Sequence, residues 1–240
     1  YLGQRLGEWS SKYGSSAKAF EIWKNHLVSM GYGYKLGVDL PGESRGFIPN
    51  AKFYDKFYSE GRWSANTIIS VSIGQGEILS TPIQIANLSA TIANRGWFIT
   101  PHVVKEIQDT VMPAEILDRR YPTIEAHYYA DVAEGMRMAV TGGTCRRAAI
   151  PGIEVCGKTG TAQNPHGKDH SAFMGFAPYT DPKIAVAVYV ENGGWGATYG
   201  VPIGSLVMEK YLTGKIAPER KYMEDQMINS SIIYAAPKKK

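Results

Sequence analysis

The sequence predicts an α+β fold, mixed and layered, with an antiparallel sheet flanked by helices. Three observations carry that reading. Segments within the first 140 residues repeat apolar residues at three-and-four spacing, the period of a helix with one buried face. Between Val155 and Val190 the pattern changes to three short strand-like segments joined by brief turns, as antiparallel neighbours require. Residues 201–212 then return to a helical pattern, which closes a layered arrangement.

The elements follow in order. Residues 15–30 place Phe20, Trp23, Leu27 and Met30 on one helical face, with Ser15 or Ser16 at the N-cap and Gly31 as the stop. Residues 31–66 are rich in glycine, proline and aromatics and read as ordered loops. "PIQIANLSATIAN" (82–94) reads as a buried helix, with Thr81 before it, Pro82 in its first turn and Gly96 after it. Residues 100–124 are mixed, a short strand and a loop excursion. Residues 126–140 form an amphipathic helix stopped by Gly142 and Gly143. Residues 155–161, 171–177 and 184–190 are the strands. Residues 1–213 are assigned to one domain, and 214–240 to a polar, peripheral or disordered tail.

Composition bounds the function. Of 240 residues, 44% are hydrophobic and 20% charged, ordinary for a globular chain. The net charge of +4 comes from 26 basic and 22 acidic residues, scattered, so no nucleic-acid stripe is present. Lys238, Lys239 and Lys240 make the one basic run and read as a solvated tail. Cys145 and Cys156 are either one bridge or two buried thiols. The longest apolar run, 184–190, is far below the ~20 residues that span a bilayer. A first residue that is Tyr1 rather than Met marks the chain as a piece of something larger.

"GIEVCGKT" (152–159) satisfies a phosphate-loop pattern, yet it overlaps "KTGT" (158–161), a signature of penicillin-recognising serine enzymes. A phosphate loop runs from strand through glycine-rich loop into helix. Here residues 153–156 favour a strand, and Gly160, Pro165 and Gly167 forbid a helix after the lysine. The strand reading suits the other chemistry. Thr159 and Thr161 share a face by the two-residue period, and two hydroxyls beside the Lys158 ammonium would receive a carboxylate. Gly160 lets an extended substrate approach the backbone. Such an edge can bind a peptide by strand addition and aim an amide at a developing oxyanion.

Several stretches make a resemblance specific: "GYGYKLGVDLPGE" (31–43), "NTIISVSIGQGEILSTPIQIA" (66–86), "PHVV" (101–104), "CGKTGTAQ" (156–163), "FMGFAP" (173–178) and "VENGG" (190–194). In that order, from Tyr1 to about Leu212, the chain resembles the class B penicillin-binding proteins of the penicillin-binding protein 2 type. The resemblance implies the penicillin-binding protein and serine β-lactamase transpeptidase fold, without its N-terminal part. It implies a serine D,D-transpeptidase that cross-links peptidoglycan stems ending in D-Ala-D-Ala and binds β-lactams. No cofactor or metal is implied. The parent would sit at the periplasmic face of the bacterial inner membrane, anchored by a segment before Tyr1, with the cell-elongation machinery as partner.

That family uses S-x-x-K, S-x-N and K-T-G. "SSAK" offers Ser15 and Lys18, and "SAN" offers Ser64 and Asn66, but both read as decoys. A catalytic serine opens a buried helix with a desolvated lysine one turn on. The helix after Ser15 instead carries Glu21, Lys24 and Asn25 on an exposed face, so Ser15 is an N-cap. Ser64-Ala65-Asn66 runs into "TIISVSIGQG", which in the family follows both real motifs. The chain is thus expected to be an inert C-terminal portion of the domain, lacking the nucleophile. By the resemblance, Lys158, Thr159, Gly160 and Thr161 are the substrate-binding residues: Lys158 reaches toward the missing serine of S-x-N and supports proton transfer, Thr159 and Thr161 bind the substrate's terminal carboxylate, and the Thr161 amide is one oxyanion donor. Two rivals remain: a self-contained β-lactamase-like enzyme using Ser15, Lys18 and Ser64, and a non-catalytic peptide-binding module. Loss of the central helix should expose apolar surface and lead to self-association or a partly disordered cleft.

Other signals carry blander readings. "HGKDH" (166–170) resembles an inverted zinc-protease signature, but Pro165 and Gly167 predict a loop beside the cleft. Gln75, between Gly74 and Gly76, shapes a turn. Trp63, Trp97 and Trp195 read as core or rim aromatics.

Overall fold

A computed structural model of the protein describes residues 11–60, 62–63 and 65–232, with the backbone alone at 65 and 66. The architecture is α+β, helices together with a three-stranded antiparallel sheet. The chain divides after Tyr129 into two compact units.

In the first unit, helix α1 (Ser16–Ser29) starts where the Ser15 side chain accepts the Lys18 amide at 3.2 Å. It buries Ala19 and Phe20. Helix α2 (Ala51–Tyr58) was not expected, since 31–66 reads as loop. Asn50 caps it by accepting the Phe53 amide at 2.8 Å, and it buries Ala51 and Tyr54 while Phe57 and Tyr58 stay exposed. Phe20 meets Tyr54 and Trp63 edge-on, with ring centres 5.6 and 5.7 Å apart, and stacks on Trp23 at 5.1 Å. This aromatic cluster, with Ile68 and Val71 from two 3-10 turns, is the unit's core. Trp63 is therefore a core residue, as expected. Helix α3 (Pro82–Ala93) carries a reciprocal capping box: Thr81 N donates to Gln84 Oε1 at 3.0 Å, and Gln84 N to Thr81 Oγ1 at 3.4 Å. Residues 100–124 contribute a bridge between Phe98 and Arg120 and the short helix α4 (Ala114–Leu117). Gly74 and Gly76 both have positive φ around Gln75, whose amide donates to Ser70 O at 3.0 Å, so this is a turn.

The second unit is built on the sheet. Helix α5 (His127–Thr141), which belongs to this unit from Ala130 onward, leads through a 3-10 turn (Arg146–Ala148) to strands β1 (Cys156–Ala162), β2 (His170–Ala177) and β3 (Ile184–Val190), in the order β1-β2-β3. The register pairs Gly157 with Gly175, Thr159 with Phe173 and Thr161 with Ser171. Paired residues share a face, so these six line one side of the sheet. Helix α6 (Gly200–Thr213) packs on that side against β2 and β3. Phe173 is its centre, in a socket made by three glycines. A Cβ on Gly157 would lie 2.6 Å from the Phe173 ring, one on Gly175 2.7 Å, and one on Gly204 of α6 would collide with it as well. Cys145, Val155, Val201 and Met208 complete this core. Cys145 and Cys156 are buried thiols with no disulfide between them.

Residues 214–232 differ from the peripheral tail expected of them. They form a 3-10 turn (Pro218–Arg220) and helix α7 (Lys221–Ile228), and both Arg220 and Met223 are buried. The physical reason is a pair of single residues, not a pattern: an arginine and a methionine inside an otherwise polar stretch.

Candidate functional site

Lys158, Thr159, Gly160 and Thr161 lie extended in the middle of β1, an edge strand of the sheet. Lys158 and Thr159 are thus inside a strand, not at a helix N-terminus, which is where a phosphate loop would need them. The pleat sets the directions of the side chains. Thr159 and Thr161 leave on the face that also carries Phe173 and Ser171. Lys158 pairs with Met174, and Gly160 with Ala172, on the opposite face. The strand therefore brings the two hydroxyls together and sends the lysine the other way. Lys158 Nζ bends back to donate to Thr159 O at 2.6 Å. Its side chain is exposed.

Each hydroxyl has a dedicated support. Thr159 Oγ1 lies 3.1 Å from Thr144 Oγ1, in the turn that follows α5. Thr161 Oγ1 accepts the Gly196 amide at 3.2 Å. Gly196 passes so close to the Gly160 backbone that a Cβ there would collide with the Gly160 carbonyl oxygen. Ser171, fully buried, ties down that loop: its hydroxyl donates to Trp195 O at 2.9 Å and accepts the Gly200 amide at 2.9 Å. Gly160 itself could take a Cβ only at 3.2 Å from Ala172 Cβ, so the strand is tight at this point. Cys145, next to Thr144, has its thiol pushed up by burial, against opposing pulls from Thr144, the Lys158 charge and Thr159.

Thr144, Ser171 and Gly196 escaped the sequence reading. A polar residue at an inward strand position was the available signal for Ser171, and the third glycine of "GGWG" for Gly196. Thr144 follows a helix stop and gave no signal.

The other candidates fall elsewhere. Ser15 caps α1, and Lys18 is exposed one turn on. Ser64 lies outside the described residues, as do the side chain of Asn66 and the Lys238–Lys240 run. "HGKDH" bridges the β1–β2 loop and the start of β2: Asp169 Oδ1 accepts the Asn164 amide at 3.2 Å, and His170 Nδ1 accepts the Asn192 amide at 3.0 Å. Among the described residues no group of three metal-binding side chains converges. Trp195 is a rim residue, 77% exposed, and Trp97 lies beneath the Arg119 guanidinium at 4.1 Å.

An exposed, extended edge strand with two braced hydroxyls on one face and a lysine on the other can hold an extended peptide and its carboxylate. Comparisons with known proteins give the family. The penicillin binding protein transpeptidase domain family matches residues 12–209. The peptidoglycan D,D-transpeptidase MrdA of Haemophilus influenzae is 32% identical over 219 residues, which are 82% of this chain and 34% of that protein. Penicillin-binding protein 2 (PBP2) of Pseudomonas aeruginosa, solved in complex with WCK 5153, superposes with a TM-score of 0.71 at 34% identity, over 83% of this chain and 44% of that one. PBP2 of Helicobacter pylori, solved in complex with MreC, gives 0.66 at 27% identity over 82% and 36%. The chain spans about a third of the length of the curated relative it matches. It belongs to the penicillin-binding protein transpeptidase family.

Proposed function

We propose that this chain is the KTGT-bearing portion of a serine D,D-transpeptidase that cross-links peptidoglycan stem peptides ending in D-Ala-D-Ala and is acylated by β-lactams. One observation carries the reading: in a chain of this family, Lys158–Thr161 run extended along a sheet edge, with the Thr159 and Thr161 hydroxyls on one face. The terminal carboxylate of the stem, or that of a β-lactam, is received by these hydroxyls, with Gly160 leaving room for the peptide backbone. The Thr161 amide is one oxyanion donor. Lys158, on the other face, acts toward the serine relay and supports proton transfer by its charge. That division refines the expectation of a single ammonium-and-hydroxyl receptor, because the pleat separates the two kinds of group.

The nucleophile and its lysine are supplied by residues outside this chain. Ser15 is occupied as a helix cap, and its neighbour Lys18 is exposed rather than enclosed beside it. Residues up to Thr213 belong to one transpeptidase domain. The parent works at the periplasmic face of the inner membrane, anchored by a preceding segment; no helix among the described residues is long and apolar enough to cross a membrane. Its partner is the cell-elongation machinery, by analogy with the H. pylori relative solved with MreC. Exposed Ile69, Ile73 and Leu79 favour self-association of this chain when alone.

The test is incubation with a fluorescent penicillin, followed by mass spectrometry. The intact parent should form a covalent adduct, and this chain alone should form none. An adduct on Ser15 would overturn the missing-nucleophile reading in favour of a self-contained acylating enzyme. A parent that binds stem peptide yet never acylates would mark a non-catalytic module.

A further inference from the structure

Thr159 and Thr161 are braced by different parts of the second unit, and the brace on Thr159 leads to an ion pair far along the chain. Glu209 on α6 and Arg220 before α7 are 2% and 5% exposed, with Oε2 and Nη1 3.2 Å apart. Neither of these two atoms makes an aligned hydrogen bond, so the pair attracts without directional fit. Glu209 Oε1 accepts the Ala217 amide at 3.1 Å, which brings the segment carrying Arg220 onto α6. Buried ion pairs are weak stabilisers compared with apolar residues of the same size. Their value lies in fixing where other groups point.

Arg220 uses its second nitrogen for that. Nη2 donates to Ser205 Oγ at 2.5 Å. A guanidinium has no acceptor, so the hydroxyl oxygen must accept here and its single hydrogen is left to donate elsewhere. It goes to Ala148 O at 3.0 Å. Without the guanidinium, a helix serine is free to turn its hydrogen back to the carbonyl four residues earlier, here Val201. Ala148 ends the 3-10 turn, with its amide donating to Cys145 O at 2.7 Å, and Cys145 N donates to Ala139 O at 2.9 Å. The residue before Cys145 is Thr144, whose hydroxyl meets that of Thr159.

We propose that Arg220, oriented by Glu209, is a positioning residue for Thr159: it directs the Ser205 hydrogen onto the Ala148 carbonyl and so fixes the turn that seats Thr144 against the Thr159 hydroxyl. The C-terminal segment after Thr213 is thereby part of the substrate-binding apparatus. The positioning itself stands on these contacts; its consequence for catalysis rests on reading Thr159 as a carboxylate-binding residue.

The test combines two variants with two readouts. Arg220→Met with Glu209→Leu replaces the ion pair by an apolar pair that keeps the segment packed. Ser205→Ala removes only the relaying hydroxyl. In the full chain, threonine-methyl NMR should show the Thr144 and Thr159 resonances moving in both variants, while Thr161, braced by the separate Gly196 loop, stays in place. Unmoved Thr144 and Thr159 resonances in both variants would overturn the proposal. In the intact parent, apparent penicillin affinity should fall about two- to tenfold, the worth of one hydrogen bond, with the saturated acylation rate unchanged. In a Thr159→Val background the same changes should add nothing further. An undiminished loss in that background assigns the effect to general loosening and also overturns the proposal. If Thr159→Val alone leaves penicillin affinity untouched, the functional reading of Thr159 fails, and the methyl shifts still decide the positioning.

Discussion

The two units satisfy their backbones in different ways. In the second, the work falls to repetition: β1, β2 and β3 pair residue by residue, and helix α6 lies on the face they share. In the first, it falls to individual side chains. The Glu43 carboxylate accepts three successive amides, from Leu36, Gly37 and Val38, at 2.6, 3.0 and 3.2 Å. Gln84 Nε2 donates to Tyr34 O and Arg45 O, both at 3.0 Å. Glu21 accepts the Ala51 amide at 2.7 Å, and Asn87 donates to Met30 O at 3.1 Å. A sheet distributes its stability over many equivalent contacts around a few large apolar residues. A stapled loop concentrates it in polar residues that have no substitute.

That contrast predicts which residue types matter in each unit. The largest effect should come from Phe173→Ala. Its ring fills the socket of Gly157, Gly175 and Gly204, and those glycines have no side chains with which to close a cavity. The cost should be about 3–5 kcal/mol, read as a fall in urea midpoint together with loss of amide protection across β1–β3. A cost below about 1 kcal/mol would break the comparison, because the sheet would then not depend on its apolar centre.

In the first unit the matching test is Gln84→Leu, which keeps the approximate size but removes the amide. Three backbone groups lose their partner: the Tyr34 and Arg45 carbonyls and the Thr81 amide. Gln84 is buried, so water cannot fully replace it. A loss of roughly 3 kcal/mol is expected, at the usual cost of stranding buried polar groups. It should appear as faster amide exchange in residues 31–48 and 79–93, with β1–β3 unaffected. A neutral outcome would mean that the loops are held by packing instead.

The same contrast explains what could be read in the sequence. β3 is found at the bounds its apolar run implies, and β1 and β2 within one residue of theirs, because a period of two is written at every position. Helix α3 was legible through Thr81, Pro82 and its apolar run. Helix α2 was not, although Asn50 and the pairs Phe53–Phe57 and Tyr54–Tyr58 at i,i+4 were there to be read; the surrounding glycines and prolines drew attention to loops. Glu43, Gln84 and Asn87 were invisible as staples, since their partners lie 5 to 57 positions away and no periodicity links them. At the candidate site the KTGT strand was legible, but its braces were not. Thr144 and Gly196 act on β1 from 15 and 35 positions away, and the opposition of Lys158 to the threonines follows only once the strand register is fixed.

A smaller effect sharpens the assignment of Ser15. Ser15→Ala removes the hydroxyl that accepts the Lys18 amide and should cost about 1 kcal/mol, whereas Ser15→Gly should cost only a few tenths. Both are read from the thermal midpoint. In the intact parent, penicillin acylation should be unchanged by either. A large loss of acylation with no loss of stability would reverse the roles given to this serine and to β1.

The smallest effect is a pH dependence confined to one exposed staple. Asp39 accepts the Val103 amide at 2.9 Å and the Val104 amide at 2.8 Å, and these bonds, Val103 first, hold its carboxyl below the usual aspartate range. A carboxylate whose folded pKa is depressed contributes stability above its unfolded value, about 3.9, and loses it as pH falls through the lower folded value. The Val103 and Val104 amide resonances should therefore stay fixed from neutral pH down through 4 and move only below the ordinary aspartate range. Asp39→Asn should abolish that transition while leaving the amides of β1–β3 where they are. A titration centred at or above the ordinary aspartate value would mean that the carboxylate is not holding these amides. The first unit's side-chain staples would then be weaker than the comparison with the sheet requires.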